Sequence, residues 1–195
     1  PDCDFSPETE DGSQAYAALT AEALGADWVA ICYSGRGVWQ NYDRSRAGTL
    51  PELFDRITPR HAAGSWDPAR DSADAVVVFL GTNDFAHENP PEGDFVSALV
   101  GFLAQLREAY PEAPIVCLTG SMLGNGSARQ PLATHQRYLA KAINQRFRGG
   151  DQAVFRLDLE EQGAHGYGCD WHPSLVQHQR HARELTEFFR EELGW

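Results

Sequence analysis

The chain has 195 residues, 42% of them hydrophobic and 23% charged, which is typical of a globular domain. Its net charge of −12 argues against nucleic acid or an anionic membrane as a partner, because phosphate binding requires a basic surface. No apolar run approaches the roughly 20 residues that a membrane-spanning helix needs. We therefore expect one domain over residues 1–195, large enough to bury a core, with a neutral small molecule or polysaccharide as its ligand.

Helical and strand patterns alternate along the chain. In chain order they predict a loop (1–10), a helix (11–24), a strand (28–33), a short helix (51–57), a strand (75–80), a helix (94–110), a strand (114–119), a helix (131–147), a strand (153–159) and a last helix. The last strand alternates apolar and polar residues, which predicts a sheet edge. This alternation predicts an α/β fold in which helices cover both faces of a parallel sheet.

The last helix begins after Ser174, because Gln177 follows Ser174 at the spacing of a capping box. The apolar pattern predicts that Leu175 is among its buried residues, whereas His178 and His181 are assigned to a solvated face.

The four cysteines show no C-x-x-C spacing, so they predict neither a zinc site nor a thioredoxin-like motif. Cys32 and Cys117 lie in apolar runs and are interpreted as small core residues. Cys3 is a candidate for pairing with a cysteine outside the chain, and the redox compartment stays open.

Three polar loops follow predicted strands or enter a helix at the same end of the predicted sheet. They are Ser34-Gly35-Arg36-Gly37, Gly81-Thr82-Asn83-Asp84, and the loop that ends in Asp170-Trp171-His172. Functional sites of parallel α/β sheets lie at the carboxyl ends of the strands. We therefore expect these loops to meet at one site.

The residue types in these loops suit acyl transfer. His172 is a candidate general base with Asp170 as the group that orients it, although a structural histidine in a turn is the alternative. The Gly35 N–H and the Asn83 amide are candidate donors to the negative charge that develops on a carbonyl oxygen. We see no cluster of metal ligands for a metal-dependent hydrolase, and we expect neither a metal nor a cofactor.

The order of Gly35, Gly81-x-Asn83-Asp84 and Asp170-x-His172 resembles that of the SGNH (GDSL-type) hydrolases. The phrases FSPETEDG, YSGRGVWQNYD, LGTNDF and GCDWHPS resemble carbohydrate esterase family 2, a group of acetyl esterases that act on plant polysaccharides. This resemblance implies a three-layer αβα, flavodoxin-like fold. It also implies a serine esterase that removes acetyl groups from a carbohydrate such as xylan.

The resemblance also implies roles for individual residues. His172 is the base, Gly35 and Asn83 are oxyanion donors, and Trp171 lines the acyl pocket. Further candidates for sugar contact are Arg36, Trp39, Asn41 and Tyr42, and Asp84 is interpreted as a loop-bracing carboxylate. The general family pattern places an aspartate where Cys169 stands, and Asp170 is one residue later. Members of the subgroup can work with a Ser-His dyad, so Asp170 is the less secure assignment.

The family's Gly-Asp-Ser nucleophile motif does not occur in these residues. We expect it upstream of Pro1, on a central first strand supplied by an N-terminal fragment or a second chain, without which this chain would not fold. Ser34 is the alternative nucleophile, although it lacks the G-x-S-x-G elbow. The alternative function is a carbohydrate-binding relative that has lost catalysis.

Overall fold

The computed structural model describes residues 3–61, 64–70 and 72–195, so the first two residues of the predicted N-terminal loop lie outside the described residues. The described chain contains five α-helices: α1 (Tyr16–Leu24), α2 (Leu50–Leu53), α3 (Glu92–Ala109), α4 (Pro131–Arg148) and α5 (Leu175–Glu192). Its strands are β1 (Val76–Val78), β2 (Ile115–Ser121) and β3 (Val154–Glu161). Short 3-10 turns occupy Pro7–Thr9, Gly12–Gln14, Pro68–Arg70 and Cys169–Trp171.

The strands form one sheet in the order β1-β2-β3. β1 runs parallel to β2, with Val76 opposite Ile115, and the Ile115 N–H donates to the Ala153 carbonyl at 2.9 Å. All seven residues of β2 are buried, as expected for a strand between two neighbours. The α/β prediction with a parallel sheet is confirmed, and β3 lies at a sheet edge as predicted.

The chain divides into two compact units. The terminal unit comprises the described residues up to Ala30 together with Gly120–Gly124 and Leu157–Trp195. The central unit comprises Ile31–Thr119 and Asn125–Arg156.

The core of the central unit forms where α3 packs on α4. Apolar residues of α3 recur at helical spacing and bury one face of the helix, namely Phe95, Leu99, Phe102, Leu103 and Leu106. Phe85 meets Phe95 edge to face, with ring centres 5.2 Å apart. Because Phe85 follows Asp84 directly, this aromatic contact anchors the end of the Gly81–Asp84 loop in the core.

The core of the terminal unit forms where α1 packs on α5. Ala18 and Ala21 are buried on α1, and Ala182 and Leu185 on α5. α1 ends at Gly25, whose φ of 67° is the left-handed conformation that terminates helices. The predicted start of α5 is confirmed, because the Ser174 hydroxyl accepts the Gln177 N–H at 3.2 Å.

The predicted strand over 28–33 is wrong, because the structure places no strand there. Val29 is 80% exposed, Trp28 is 44% exposed and Cys32 is also exposed, so Cys32 is not the core residue that we predicted. An apolar run becomes a strand only when its N–H and C=O groups pair with a neighbour. Among the described residues this segment has no pairing partner. Cys117, by contrast, is buried as predicted, and burial raises the pKa of its thiol to about 12.

The predicted faces of α5 are also wrong at two positions. His181 is fully buried and its Nε2 lies 3.0 Å from the Glu160 carbonyl, because it shares a helix face with Ala182 and Leu185. Leu175 is 59% exposed. α1 begins at Tyr16 and not at the predicted residue 11, and the Tyr16 N–H donates to His178 Nδ1 in the first turn of α5 at 3.3 Å.

Candidate active site

The predicted site residues fall into two groups. Gly35, Arg36, Trp39 and Asn83 belong to the central unit. The Asp170-Trp171-His172 loop belongs to the terminal unit.

In the central unit, Asp84 organises the loop that follows Gly35. Its buried carboxylate accepts backbone N–H groups from Val38 at 3.0 Å, Trp39 at 2.8 Å and Gln40 at 2.9 Å. Burial raises the pKa of Asp84, and the three N–H donors offset only part of that effect. The interpretation of Asp84 as a loop brace is confirmed.

This tight wrapping explains why position 37 is glycine. A Cβ on Gly37 would lie 2.5 Å from Asp84 Oδ2 and 2.0 Å from the Gln40 carbonyl oxygen. Asn41 is buried in the same loop, where its Oδ1 accepts the Gly37 N–H and its Nδ2 donates to Ser45 Oγ and the Ala47 carbonyl. The Asn41 side chain is therefore used within the loop, not for sugar contact as we had considered.

Asn83 is linked to Gly35 through Arg36, the residue that follows Gly35 in the chain. Asn83 Nδ2 donates one N–H to the Arg36 carbonyl at 2.9 Å, and within the described ranges its second N–H has no acceptor. Gly35 has a φ of 77°, and its carbonyl accepts the Tyr42 N–H at 2.8 Å. The described residues also offer no acceptor to the Gly35 N–H. The Gly35 N–H and one Asn83 N–H are thus available on two loops that the Asn83–Arg36 hydrogen bond joins, and such donors suit a developing oxyanion.

The predicted sugar contacts lie on the same loop. The Arg36 guanidinium carbon is 4.9 Å from the centre of the Tyr33 ring, and Arg46 covers one face of Trp39 at 4.0 Å. Tyr42 is 56% exposed. The structure therefore offers cationic and aromatic groups here, and their role in sugar binding stays a prediction.

In the terminal unit, His172 is exposed and its Nδ1 lies 3.2 Å from the Cys169 carbonyl oxygen. A carbonyl oxygen only accepts hydrogen bonds, so Nδ1 carries the proton. The Nε2 of the neutral ring then has a lone pair, which is what a general base needs.

Asp170 does not make this contact. It is exposed, and no hydrogen bond joins its carboxylate to His172 in the part of the chain that the structure describes. Its N–H donates to the Cys3 carbonyl at 3.0 Å. The orienting acceptor in this geometry is a main-chain carbonyl and not a carboxylate.

Trp171 is 58% exposed and is therefore not part of the core. Its ring meets the Tyr167 ring edge to face, with centres 5.1 Å apart, and Tyr167 is also exposed. Tyr167 is not among the predicted site residues, although its position between Gly166 and Gly168, close to the histidine motif, was a visible signal.

The chain also contains a disulfide bond that was not predicted. Cys3 pairs with Cys169 within the chain, so the suggestion of a partner cysteine outside the chain is wrong. The bond joins residues 166 positions apart, and cysteine spacing alone does not reveal such a pairing.

Across residues 3–61, 64–70 and 72–195, no three His, Cys, Asp or Glu side chains are grouped to hold a metal ion. No helix in these ranges is long and apolar enough to cross a membrane.

Comparison with known proteins was made for the whole chain. The model of the GDSL-like lipase/acylhydrolase family matches residues 3–180. The cellulase/esterase CelE of Acetivibrio thermocellus is 34% identical over 193 residues, which is 98% of this chain and 23% of that protein. An acetylxylan esterase/glucomannan deacetylase of Cellvibrio japonicus is 28% identical over 184 residues, which is 93% of this chain and 49% of that protein.

Among solved structures, a family two carbohydrate esterase from Clostridium thermocellum in complex with cellohexaose has a TM-score of 0.92. It is 32% identical, and the match covers 99% of this chain and 58% of that chain. The chain thus spans between 23% and 58% of the length of these three proteins.

Proposed function

Because the chain belongs to the GDSL-like lipase/acylhydrolase family, we propose that it is part of a serine esterase that releases acetyl groups from acetylated carbohydrate such as xylan. The predicted resemblance to SGNH hydrolases and to carbohydrate esterase family 2 is confirmed. The names of the relatives, an esterase and an acetylxylan esterase, support the choice of an acetylated polysaccharide.

The observation that carries the proposal is the contact between His172 Nδ1 and the Cys169 carbonyl. It leaves Nε2 able to take the proton of a serine hydroxyl while that oxygen attacks the acetyl carbonyl. The Gly35 N–H and the second Asn83 N–H then donate to the oxyanion. The imidazolium returns its proton to the departing sugar oxygen, and water releases acetate from the serine by the same steps.

The serine itself is proposed to come from a Gly-Asp-Ser segment outside these residues, on an upstream segment or a second chain. β2 pairs with one edge of β1, and among the described residues no strand pairs with the other edge. Val76 and Val77 are only half-buried, and the apolar segment 28–33 makes no strand pairing. An added strand would form hydrogen bonds with the free N–H and C=O groups of β1. Such groups cost free energy when they are buried without a partner.

Ser34 is the alternative nucleophile within the chain. It is exposed in the turn before Gly35, which places it in the loop that carries the proposed donor Gly35 and not on a strand-to-helix elbow. Ser34→Ala should therefore leave the activity of the complete protein unchanged.

The test is acetate release by the complete protein, with its Gly-Asp-Ser segment present. We expect hydrolysis of p-nitrophenyl acetate and release of acetate from acetylated xylan, followed by proton NMR. Absence of acetate release from both substrates by the folded complete protein would overturn the proposal.

The second candidate is a carbohydrate-binding protein without catalysis. It is favoured by the absence of Gly-Asp-Ser from these residues and by the exposed Tyr167 and Trp171 rings, whose faces suit sugar rings. Calorimetry separates the two functions. Binding of cellohexaose by the complete protein without any acetate release would establish the binder, and turnover would exclude it.

A further inference from the structure

The loop that carries His172 has an unfavourable backbone conformation. Asp170 and Trp171 are consecutive non-glycine residues with φ values of 49° and 63°. The left-handed region disfavours residues with a Cβ, and two in succession persist only when surrounding groups hold them. The loop therefore depends on the contacts that fix its ends.

Four such contacts hold the loop. The Cys169 sulfur is bonded to Cys3, and the Asp170 N–H donates to the Cys3 carbonyl at 3.0 Å. Gln162 Nε2 donates to the Trp171 carbonyl at 2.8 Å, and the Gly168 N–H donates to the His172 carbonyl at 2.8 Å. Two of the four contacts come from Cys3, which lies 166 positions away in the sequence.

Cys169, which is bonded to Cys3, is also the residue that orients the His172 imidazole. The Cys169 carbonyl accepts the His172 N–H at 3.1 Å and lies 3.2 Å from His172 Nδ1. A shift of Cys169 would therefore move both hydrogen bonds that fix the ring. No carboxylate takes over this task, since Asp170 makes no hydrogen bond to His172 within the described chain.

We propose that the Cys3–Cys169 disulfide is a positioning element for His172, and that breaking it releases the imidazole from its Nδ1–H tautomer. Cys3 and Cys169 are thus positioning residues, acting on His172 through the Cys169 main chain. This inference rests on the proposed function only for its consequence on turnover, because the tautomer of His172 is measurable without any substrate.

Reduction provides a reversible way to break the bond. A small dithiol attacks one sulfur of the disulfide as its thiolate and forms a mixed disulfide with that cysteine, while the other cysteine leaves as a thiol. The second thiol of the reagent then attacks the reagent sulfur of the mixed disulfide and releases the remaining cysteine as a thiol. The products are two cysteine thiols and one cyclic disulfide, so two electrons and two protons pass to the protein.

The experiment records two-bond proton–nitrogen NMR correlations of the histidine rings in the complete protein at about pH 8, where imidazoles of ordinary pKa are neutral. The His172 signals are those that vanish in His172→Gln. We expect the Nδ1–H form in the oxidised protein. After reduction and in Cys3→Ser we expect mainly the Nε2–H form, which an unrestrained imidazole prefers in water.

Turnover of p-nitrophenyl acetate gives the second measurement. Loss of the disulfide should lower kcat by about tenfold or more and change KM by less than about twofold, since misplacing a base affects the transition state more than binding. Reoxidation should restore kcat. Cys32→Ser, which removes an exposed free cysteine, should match the wild-type protein in both measurements.

If Cys3→Ser does not fold, reduction of the already folded protein replaces it. Retention of the Nδ1–H form after complete reduction would overturn the proposal, as would a change of tautomer with an unaltered kcat. Absence of turnover in the oxidised protein would instead reject the esterase function. The tautomer measurement would still decide whether the disulfide positions His172.

Discussion

Asn83 and Asp84 are adjacent residues with different tasks. Asp84 is buried and accepts three backbone N–H groups, whereas Asn83 donates one amide N–H to the Arg36 carbonyl and, among the described residues, has no acceptor for the other. The brace and the proposed oxyanion donor therefore both contact the loop that follows Gly35. A change at Asp84 is expected to disturb the loop without removing a reacting group.

We predict that Asp84→Asn lowers the free energy of unfolding by about 3 kcal/mol, because hydrogen bonds to a charged group contribute about 1.5–3 kcal/mol each and an amide NH₂ would face N–H donors. Urea unfolding of the complete protein measures this loss. Asp43→Asn is the matched control, since Asp43 is an exposed carboxylate that, among the described residues, accepts hydrogen bonds from the nearby Ser45. Equal losses in the two variants would contradict the bracing role.

At this scale the sequence predicted much of the candidate site. Short phrases predicted Gly35, Asn83 and His172 as candidate site residues, because glycine, amide and imidazole groups have few substitutes in such chemistry. The orienting group was not predictable, since a main-chain carbonyl such as that of Cys169 has no side-chain signature. The Cys3–Cys169 bond was hidden for a related reason, because its partners meet only in the folded chain.

At the scale of elements, α5 shows why helix faces are harder to predict than helix bounds. Ser174 marked the start of the helix correctly through a local interaction. His178 and His181 lie on the inward face with Leu185. A histidine can occupy this face only if a neighbouring element such as α1 offers its ring a contact. Tyr16 stacks on His178, with ring planes 5° apart and centres separated by 6.3 Å.

This packing predicts a pH dependence. Burial lowers the pKa of His178 below its ordinary value of 6.5, and the charges of His181 and His172 lower it further. The unfolded chain therefore binds the proton first, so the contribution of His178 is complete above about pH 6.5 and is lost as the pH falls below it. The His178 Nδ1 also accepts the Tyr16 N–H at 3.3 Å, which protonation of that nitrogen would prevent.

We expect the free energy of unfolding to fall less between about pH 7 and pH 5 in His178→Gln than in the wild-type protein. Urea unfolding at several pH values measures the difference. His61→Gln, at an exposed histidine, should keep the wild-type slope. The same slope in His178→Gln as in the wild type would show that His178 does not carry this dependence.

For the whole molecule, the main discrepancy is the apolar segment 28–33. Its composition is that of a buried strand, yet four of its six residues are exposed and it makes no strand pairing in the described structure. Apolar composition shows that a segment is suited to burial, whereas its pairing as a strand depends on which neighbouring strands are present. The free edge of β1 fits the same explanation, that a strand outside these residues completes the sheet.

Amide hydrogen exchange tests this explanation. The Val76 N–H donates to the Pro114 carbonyl on the β2 side, so the alternation along a strand directs the Val77 N–H to the free edge. We predict that the Val77 amide exchanges quickly in the 195-residue chain and slowly in the complete protein. Val116, within the fully buried β2, should exchange slowly in both. Equal exchange of Val77 in the two proteins would reject a strand at this edge.

The central claim is that His172 is the base of an acetyl esterase, and the rate of acetate release from acetylated xylan tests it most directly. In the complete protein, His172→Ala should lower kcat by about 10³-fold or more while the fold is kept, because removal of a catalytic base leaves mainly the oxyanion donors and binding. His61→Ala should retain the wild-type rate. Full activity in His172→Ala would contradict the account.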